Sequence, residues 1–280
     1  MTPTPHSSMI LSILVVRLLN KFGLLGWPLT KTFSPEIHKL LFDLTGLTGS
    51  YRLIKKEEIN QQTISEINKD FLGYNITIPH KEKILLLDDT AIPSESVLEI
   101  GACNTVLNKN SKMYLHNTDF SGFKIYLDLV DFNFNEKAVL ILGSGGSSRA
   151  IAYSLKLLNI KYHIVSRSNN ENTISYKDIS KLDSDIGTVI NTTPIGMPPY
   201  QNAELPIDWS ELINLKTVIN LGYGSQNTFL NNFDDSILKY DGLGMLICQA
   251  IESFNIWTSA ALSTSSIYGE VLDKLEGKDD

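Results

Sequence analysis

A glycine-rich turn between an apolar run and a helical run is the feature that most constrains the fold of this chain. In KAVLILGSGGSSRAIAYSLKLL, a buried strand, this turn and a helix follow one another between Ala138 and Leu158. Gly143 permits a tight turn, and Gly145 lets the backbone approach a pyrophosphate held at the N-terminus of the helix. The arrangement predicts a nucleotide site, although Ser148 replaces the third glycine of the dinucleotide pattern. Flavins and methyl donors also use turns of this kind.

The next predicted strand, KYHIVSRS, indicates which nucleotide binds. NAD-binding folds place an acidic residue about 20 residues after the turn, where it accepts a hydrogen bond from the ribose 2′-OH. This chain instead has Ser166, Arg167 and Ser168, with no acidic residue before Glu171. A guanidinium flanked by hydroxyls suits a 2′-phosphate, because arginine can bind phosphate through two hydrogen bonds and stack on adenine. We therefore predict NADP as the cofactor, with NAD as the alternative.

Length, charge and cysteine content limit the classes of protein to which this chain can belong. A chain of 280 residues with 42% hydrophobic residues predicts a globular protein of two domains. The net charge of −7 argues against nucleic-acid or membrane-surface partners, which favour a basic face. No metal is predicted, because the five histidines and two cysteines lack ligand spacing. Cys103 and Cys248 are interpreted as reduced thiols, which favours the cytoplasm. Residues 1–20 are expected to be an extension.

Strand-like and helix-like segments alternate from Lys21 onward, which indicates an α/β fold with a mostly parallel sheet. Helices are predicted from Ser34, over INQQTISEINKDF and from near His80. Predicted strands of the first half are KFGLLG, GSYRLIKK, GYNITIP, ILLLDD, SVLEIGACNTVLN and KMYLHNTD. In the second half, GTVINTTPIGM and KTVINLGYGS are predicted strands, and GLGMLICQAIESFNIWT is a predicted long helix.

The stretch GYNITIPHKEK places Lys81 just beyond a strand and a proline. A lysine is most often an exposed surface residue, but this one accompanies several polar clusters at predicted strand ends. Those clusters are Thr32-Phe33-Ser34, NIT at Asn75 to Thr77, GACNT around Asn104, and HNTD ending in Asp119. Open α/β sheets bind ligands at such ends, and hydroxyl and amide side chains suit a polyhydroxylated ligand. Pro79 would restrict the backbone that leads to Lys81.

These motifs together resemble the shikimate dehydrogenase family, in the family's order and from about Gly23 to Trp257. GYNITIPHK is similar to the family pattern G-x-N-V-T-x-P-x-K, and GACNT to G-A-x-N-T. NTD is similar to N-T-D, GSGGSSRA to G-A-G-G-A-A-R-A, and SRS to the phosphate clamp N-R-T. GLGMLICQA is similar to G-x-x-M-L-x-x-Q-A. The ordered series is far more specific than any single match.

The resemblance implies that NADPH reduces 3-dehydroshikimate reversibly to shikimate, in chorismate and aromatic amino-acid biosynthesis. Lys81 matches the family's catalytic lysine, and Lys81 and Asp119 are expected to handle the proton. Residues implied to bind substrate are Thr32, Ser34, Thr77, Asn104, Asp119, Tyr223 and Gln249. Residues implied to bind the cofactor are Gly143, Ser144, Gly145, Gly146, Ser147, Ser166, Arg167, Ser168, Thr192 and Gly244.

The resemblance also implies a domain organisation. Residues 1–118 are expected to form a substrate-binding α/β domain, and residues 119–241 a Rossmann-like NADP-binding domain. Residues 242–280 are expected to be C-terminal helices that return to the first domain. The site is then expected in the cleft between the domains, in a monomer or a homodimer that binds a small-molecule substrate.

Departures from the family pattern leave two alternatives open. The carboxylate motif, usually H-S-x-S-P, is Lys31-Thr32-Phe33-Ser34-Pro35 here. Some relatives that also use quinate carry a similar change, so a quinate or dual-substrate dehydrogenase is one alternative. Asn220 stands where aspartate is common, Ser225 stands where proline is common, and the clamp lacks a second basic residue. The other alternative is a non-catalytic nucleotide sensor, but the chain retains Lys81 and Asp119.

Overall fold

The computed structural model describes residues 20–29, 32–167, 172–182, 185–224 and 227–276. The expected extension up to residue 19, Lys31 of the carboxylate motif, Ser168 of the clamp and Ser225 lie outside the described residues. The chain divides into two compact units. The first contains the described residues up to Thr118 together with Ala250–Ile267, and the second contains Asp119–Gln249 together with the residues from Tyr268 onward.

The first unit contains a six-stranded sheet in the order β2-β1-β3-β5-β6-β4. Its strands are β1 Lys21–Gly26, β2 Ser50–Lys55, β3 Gly73–Ile76, β4 Ile92–Pro93, β5 Thr105–Lys109 and β6 Lys112–His116. Strand β1 pairs in parallel with β2 and β3, whereas β5 is antiparallel to both β3 and β6. Strand β4 pairs in parallel with β6, so β5 alone runs against the other five strands, and the expectation of a mostly parallel sheet is confirmed. Asn110 and Ser111 both have positive φ, 53° and 59°, which favours the two-residue hairpin that joins antiparallel neighbours.

Helices of the first unit are α1 Ser34–Thr45, α2 Gln61–Asp70 and α3 Glu95–Ile100. Helix α1 has proline in its first turn and ends at Gly46, whose φ is 67°. The strand predicted over SVLEI is wrong, because Ser94 caps α3 by accepting a hydrogen bond from the Val97 amide at 3.4 Å. The strand predicted over ILLLDD and the helix predicted from near His80 are also wrong. A short 3₁₀ helix, Lys83–Leu86, lies there, in which Ile84 is buried and Leu86 remains 79% exposed.

The second unit contains a five-stranded sheet in the order β11-β10-β9-β7-β8, and every neighbouring pair is parallel. Its strands are β7 Ala138–Leu142, β8 Tyr162–Val165, β9 Ile186–Asn191, β10 Thr217–Asn220 and β11 Leu238–Tyr240. Its helices include α4 Asp119–Leu129 and α5 Gly146–Leu157. Short 3₁₀ helices span Tyr176–Lys181, Trp209–Glu211 and Phe229–Asn232. The strand order reverses between β7 and β9, which makes their carboxyl ends the expected ligand position of a doubly wound sheet.

The two C-terminal helices are α6 Leu243–Thr258 and α7 Thr264–Glu276, and each contributes to both units. Ala250–Ile267 belongs to the first unit, where the Trp257 indole donates a hydrogen bond to the Val106 carbonyl at 2.8 Å. Leu243–Gln249 and the residues from Tyr268 belong to the second unit, because Met245, Cys248 and Tyr268 pack in its core. The segment that returns to the first unit is therefore shorter than the expected 242–280.

Two negative findings apply to the described part of the chain. None of its helices is long and apolar enough to cross a membrane. None of its groups of His, Cys, Asp and Glu side chains is arranged to hold a metal ion. Cys103 and Cys248 are both buried free thiols.

Candidate active site

A buried network of amides and hydroxyls lies around β3 and β5, the two central strands of the first unit's sheet. Asn75, in β3, donates from Nδ2 to Thr105 Oγ1 at 3.0 Å and to Ser253 Oγ at 2.8 Å. Asn104 accepts at Oδ1 from the Thr118 amide at 2.6 Å and donates from Nδ2 to Thr118 Oγ1 at 3.0 Å. All five side chains are buried, so these bonds orient the amides without competition from water. The predicted substrate ligand Asn104 is thereby held in one orientation.

Lys81 is carried by the turn that follows β3. The Thr77 amide donates to the Leu25 carbonyl at 2.9 Å, and the His80 amide donates to the Thr77 carbonyl at 3.0 Å. The Lys81 carbonyl accepts from the Cys103 amide at 2.8 Å, and the Lys81 side chain is half-buried. The backbone of Lys81 is therefore tied to the segment that carries Asn104.

The carboxylate motif lies at the N-terminus of α1. Thr32 Oγ1 lies 3.2 Å from Ser34 Oγ and accepts from the Ser34 amide at the same distance. The amide groups of a first helical turn have no partners within their helix, and the helix dipole favours an anion there. This arrangement suits a carboxylate beside Thr32 and Ser34.

His38, one turn further along α1, lies beneath this motif and is fully buried. Its ring stacks on Tyr51 with a centroid separation of 4.1 Å, and the Tyr51 hydroxyl donates to Asn75 Oδ1 at 2.8 Å. Burial lowers the pKa of His38 to about 3, although the Asn75 side chain acts in the opposite direction. The imidazole is therefore neutral at physiological pH, and the structure places it in packing contacts.

Asp119 and Gln249, two predicted substrate residues, belong to the second unit. Asp119 is the first residue of α4 and is 6% exposed. Gln249, in α6, is buried and donates from Nε2 to the Leu246 carbonyl at 2.9 Å. Gly122 of α4 faces the Gln249 backbone, and a Cβ there would lie only 2.6 Å from the Gln249 amide nitrogen. The absence of a side chain at 122 thus lets α4 support the helix that carries Gln249.

Tyr223 and Thr77, two further predicted substrate residues, are both half-buried. Tyr223 follows β10 and Thr77 follows β3, so each lies just beyond the carboxyl end of a parallel strand. Thr228, which follows Tyr223, donates from Oγ1 to the Gln201 carbonyl at 2.7 Å.

The glycine-rich turn lies at the reversal of strand order in the second unit. Gly143 directly follows β7 with φ at 106°, and a Cβ there would lie 2.7 Å from Thr192 Oγ1. Thr192 follows β9 and donates from Oγ1 to the Leu142 carbonyl at 2.7 Å, which holds the two strand ends together. Ser148 donates to the Gly143 carbonyl at 2.6 Å, so the serine that replaces the third glycine closes the turn by a hydrogen bond.

The position before helix α5 fits a bound pyrophosphate. Gly145 occupies the N-cap, and a Cβ placed there would meet no atom within 4 Å. Space therefore remains in front of the Gly146 and Ser147 amides at the positive end of the helix dipole. Ser144 Oγ lies 2.9 Å from Ser166 Oγ, which joins the turn to the end of β8.

The remaining predicted cofactor residues differ in their surroundings. Arg167 follows β8 and is exposed, so its guanidinium is available to a ligand. Gly244 lies inside α6, and a Cβ there would collide with the Tyr126 ring of the same unit. Close helix packing accounts for glycine at 244, and its contact with a cofactor stays a prediction.

Sequence reasoning did not identify two residues that support the site. Tyr51 and Ser253 both bond the Asn75 side chain, and Ser253 also contacts Thr118, the partner of Asn104. A hydroxyl on the apolar face of a predicted helix was one available signal for Ser253, which lies four residues after Gln249.

Comparison with known proteins identifies the family. Residues 24–106 match the family described as the shikimate dehydrogenase substrate binding domain. The shikimate dehydrogenase (NADP(+)) of Staphylococcus aureus (strain bovine RF122 / ET3-1) is 33% identical, and the alignment covers 92% of this chain and 100% of that protein. The same protein of strain Newman is also 33% identical with the same coverage.

Solved structures agree with this assignment. Shikimate dehydrogenase 1 from Peptoclostridium difficile has a TM-score of 0.80 and 29% identity, covering 93% of this chain and 99% of that one. Shikimate 5-dehydrogenase from Thermus thermophilus, solved with NADP(H) and shikimate, has a TM-score of 0.78 and 25% identity, covering 91% and 99%. The predictions of a two-part α/β fold and of NADP are confirmed. The chain belongs to the shikimate dehydrogenase family and is an NADP-dependent oxidoreductase.

Proposed function

We propose that this enzyme interconverts 3-dehydroshikimate and shikimate with Lys81 and Asp119 handling the proton. Bound NADPH supplies the hydride in the reductive direction. The Lys81 ammonium then gives a proton to the oxygen of the former carbonyl, and in the oxidative direction the Lys81 amine takes that proton back. Asp119 is the carboxylate that holds and polarises the Lys81 side chain. General acid–base help of this kind accounts for about 10²–10⁴ in rate.

The observation that carries this proposal is the backbone position of Lys81 beside the buried network. The bond of its carbonyl to the Cys103 amide fixes Lys81 next to Asn104, whose amide is held by Thr118. A lysine on a fixed backbone next to an oriented amide is suited to a substrate with a carbonyl and neighbouring hydroxyls.

Substrate binding follows from the chemistry of the surrounding side chains. Thr32, Ser34 and the N-terminus of α1 bind the ring carboxylate. The side chains of Thr77, Asn104 and Gln249 bind the ring hydroxyls, since each offers a donor and an acceptor. Tyr223 contacts the carboxylate side of the substrate.

Cofactor binding uses the turn and the end of β8. The Gly146 and Ser147 amides bind the pyrophosphate, with Gly143, Ser144 and Gly145 shaping the approach. Arg167 binds the 2′-phosphate, with Ser166 and Ser168 as flanking hydroxyls. Thr192 and Gly244 are the remaining residues proposed to contact the cofactor.

The test compares Lys81→Ala with Lys83→Ala, a matched control because Lys83 is an exposed lysine two residues away. Activity is followed by nicotinamide absorbance with shikimate and NADP. We expect kcat to fall by about 10²–10⁴ for Lys81→Ala and to stay unchanged for Lys83→Ala. Full turnover by Lys81→Ala would contradict the assigned role of Lys81.

A second candidate function is a quinate or dual-substrate dehydrogenase, favoured by threonine at position 32. Thr32 Oγ1 lies 3.2 Å from Ser34 Oγ, and the methyl group that threonine carries in addition to serine's atoms can change the fit of the ring. The two candidate functions are separated by the kcat/KM values for shikimate and for quinate, measured in the natural enzyme and in Thr32→Ser. Activity on quinate and none on shikimate would contradict the proposed interconversion of 3-dehydroshikimate and shikimate.

We also propose a cytoplasmic location, since both cysteines are buried free thiols and a reducing compartment keeps thiols free. A monomer or a homodimer is proposed, and light scattering on the purified enzyme distinguishes these two states.

A further inference from the structure

His80 lies between Pro79 and Lys81 and is 1% exposed. Its Nε2 lies 2.7 Å from the Lys56 carbonyl oxygen. A carbonyl oxygen only accepts hydrogen bonds, so Nε2 carries the proton and donates. The His80 ring therefore makes a directional hydrogen bond, called the tie below, and does more than fill apolar space.

This tie joins the lysine turn to the ends of two strands. Lys56 directly follows β2, and its amide donates to the Gly26 carbonyl at the end of β1, at 3.3 Å. The ring of His80 is thereby connected to the rigid part of the sheet, 24 residues away in sequence.

The opposite side of the turn is tied independently. The Lys81 carbonyl accepts from the Cys103 amide at 2.8 Å, and the His80 carbonyl accepts from the Ile84 amide at 3.1 Å. The Cys103 bond fixes one end of the Lys81 peptide. The bond from the His80 ring to Lys56 fixes the residue that precedes Lys81, so the Cα of Lys81 is held from both sides.

We propose that His80 is a positioning residue, which fixes Lys81 for proton transfer by donating a hydrogen bond from Nε2 to the Lys56 carbonyl. The inference rests on the proposed function of Lys81. His80 itself is buried and exchanges no proton with substrate in this proposal. Misplacement of a catalytic group by about 1 Å can cost about 100-fold in rate, so a lost tie is expected to act on kcat.

The experiment uses three substitutions of His80 that differ in the reach of their side chains. His80→Gln keeps an amide that can reach Lys56, His80→Asn carries the same amide one methylene shorter, and His80→Leu has no donor. We expect kcat to fall roughly 10- to 100-fold for the leucine and asparagine variants and to be largely restored by glutamine. The KM values for shikimate and NADP should stay within about twofold, because the tie acts on Lys81 and not on binding.

A double-variant cycle separates positioning from a merely structural role. In a Lys81→Ala background, His80→Leu should cause no further loss of kcat, because His80 acts through Lys81. An equal loss of kcat on His80→Leu substitution in both backgrounds would overturn the inference. An undiminished kcat in His80→Leu, or equal kcat values for His80→Gln and His80→Asn, would also overturn it. If Lys81→Ala is impaired while the His80 variants are normal, the proposed function stands and this inference fails. If Lys81→Ala keeps full turnover, both fail.

Discussion

Ser253 Oγ lies 2.8 Å from Asn75 Nδ2, which joins helix α6 to strand β3 across 178 residues of sequence. The same hydroxyl lies 2.9 Å from Thr105 Oγ1 and 3.0 Å from Thr118 Oγ1. A serine hydroxyl offers one donor and two acceptor sites, so these three neighbours can all be satisfied at once. Ser253 is thus a shared partner of strands and loops that carry predicted substrate ligands.

Replacing Ser253 with alanine should destabilise the protein by about 1–3 kcal/mol, because buried polar partners lose a hydrogen bond. Ser154→Ala is a matched control, since Ser154 is an equally buried helix serine whose hydroxyl donates to the Phe120 and Ala150 carbonyls. We expect the control to cost about 1 kcal/mol or less, because it removes one hydroxyl from two backbone carbonyls and leaves no buried side chain without its partner. Urea unfolding measures both, and equal costs would argue against the shared role of Ser253.

Gly145→Ala should leave stability unchanged while it weakens cofactor binding. A Cβ at 145 meets no protein atom within 4 Å, and φ is −79°, so the fold tolerates alanine. The added methyl group would occupy the space proposed for the pyrophosphate, and we expect the KM for NADP to rise roughly tenfold.

Gly143→Ala provides the contrast for this experiment. Its φ of 106° and the nearby Thr192 make alanine strained there, so its melting temperature should fall. An unchanged KM for NADP in Gly145→Ala would place the pyrophosphate elsewhere.

Arg167→Ala should reduce the preference for NADP over NAD. Loss of charge-assisted hydrogen bonds worth about 1.5–3 kcal/mol should raise the KM for NADP roughly 10- to 100-fold and leave that for NAD nearly unchanged. Lys161→Ala is the control, because Lys161 is an exposed cation at the opposite end of β8. Equal changes for both cofactors would contradict a contact between Arg167 and the 2′-phosphate.

His38 should make stability depend on pH. Burial disfavours the charged ring and lowers the pKa of His38 from 6.5, the value of a solvent-exposed histidine, to about 3 in the folded protein. The unfolded state therefore binds the proton first, so the contribution of neutral His38 is complete above about pH 6.5 and is lost as the pH falls toward 3. A one-unit shift corresponds to about 1.4 kcal/mol, so about 2 kcal/mol is lost between pH 7 and pH 5.

His38→Phe retains an aromatic ring beside Tyr51 but has no titrating group. Urea unfolding at pH 7 and pH 5 should show a smaller decrease for this variant than for the natural protein. The same decrease in both proteins would mean that His38 does not titrate in this range.

The second unit could be predicted well because its signals are local. The apolar strand β7, the turn at Gly143 and helix α5 are contiguous in sequence, and parallel pairing follows from the alternation of strands and helices. The position of Arg167 just after β8 also follows from a short segment, and its contact with a phosphate stays a prediction.

The first unit was harder to predict, since much of its organisation depends on distant partners. The hairpin of β5 and β6 depends on Asn110 and Ser111 in left-handed conformations, which side chains other than glycine adopt only occasionally. The segment SVLEI has too few residues for periodicity to separate a strand from a helix, and the Ser94 cap decides the outcome. The partners of Ser253 come from separate segments, so no local pattern indicates them.

The first unit is completed by Ala250–Ile267, which leaves the ribosome only after the whole intervening region has been made. During synthesis, the native hydrogen bonds of the Val106 carbonyl to Trp257 and of the Asn75 amide to Ser253 can therefore form only after these two late residues have been made. The usual order in which an N-terminal domain finishes folding first does not apply to this chain. A gene fragment that stops at residue 118 would encode a sheet without the helix that closes it.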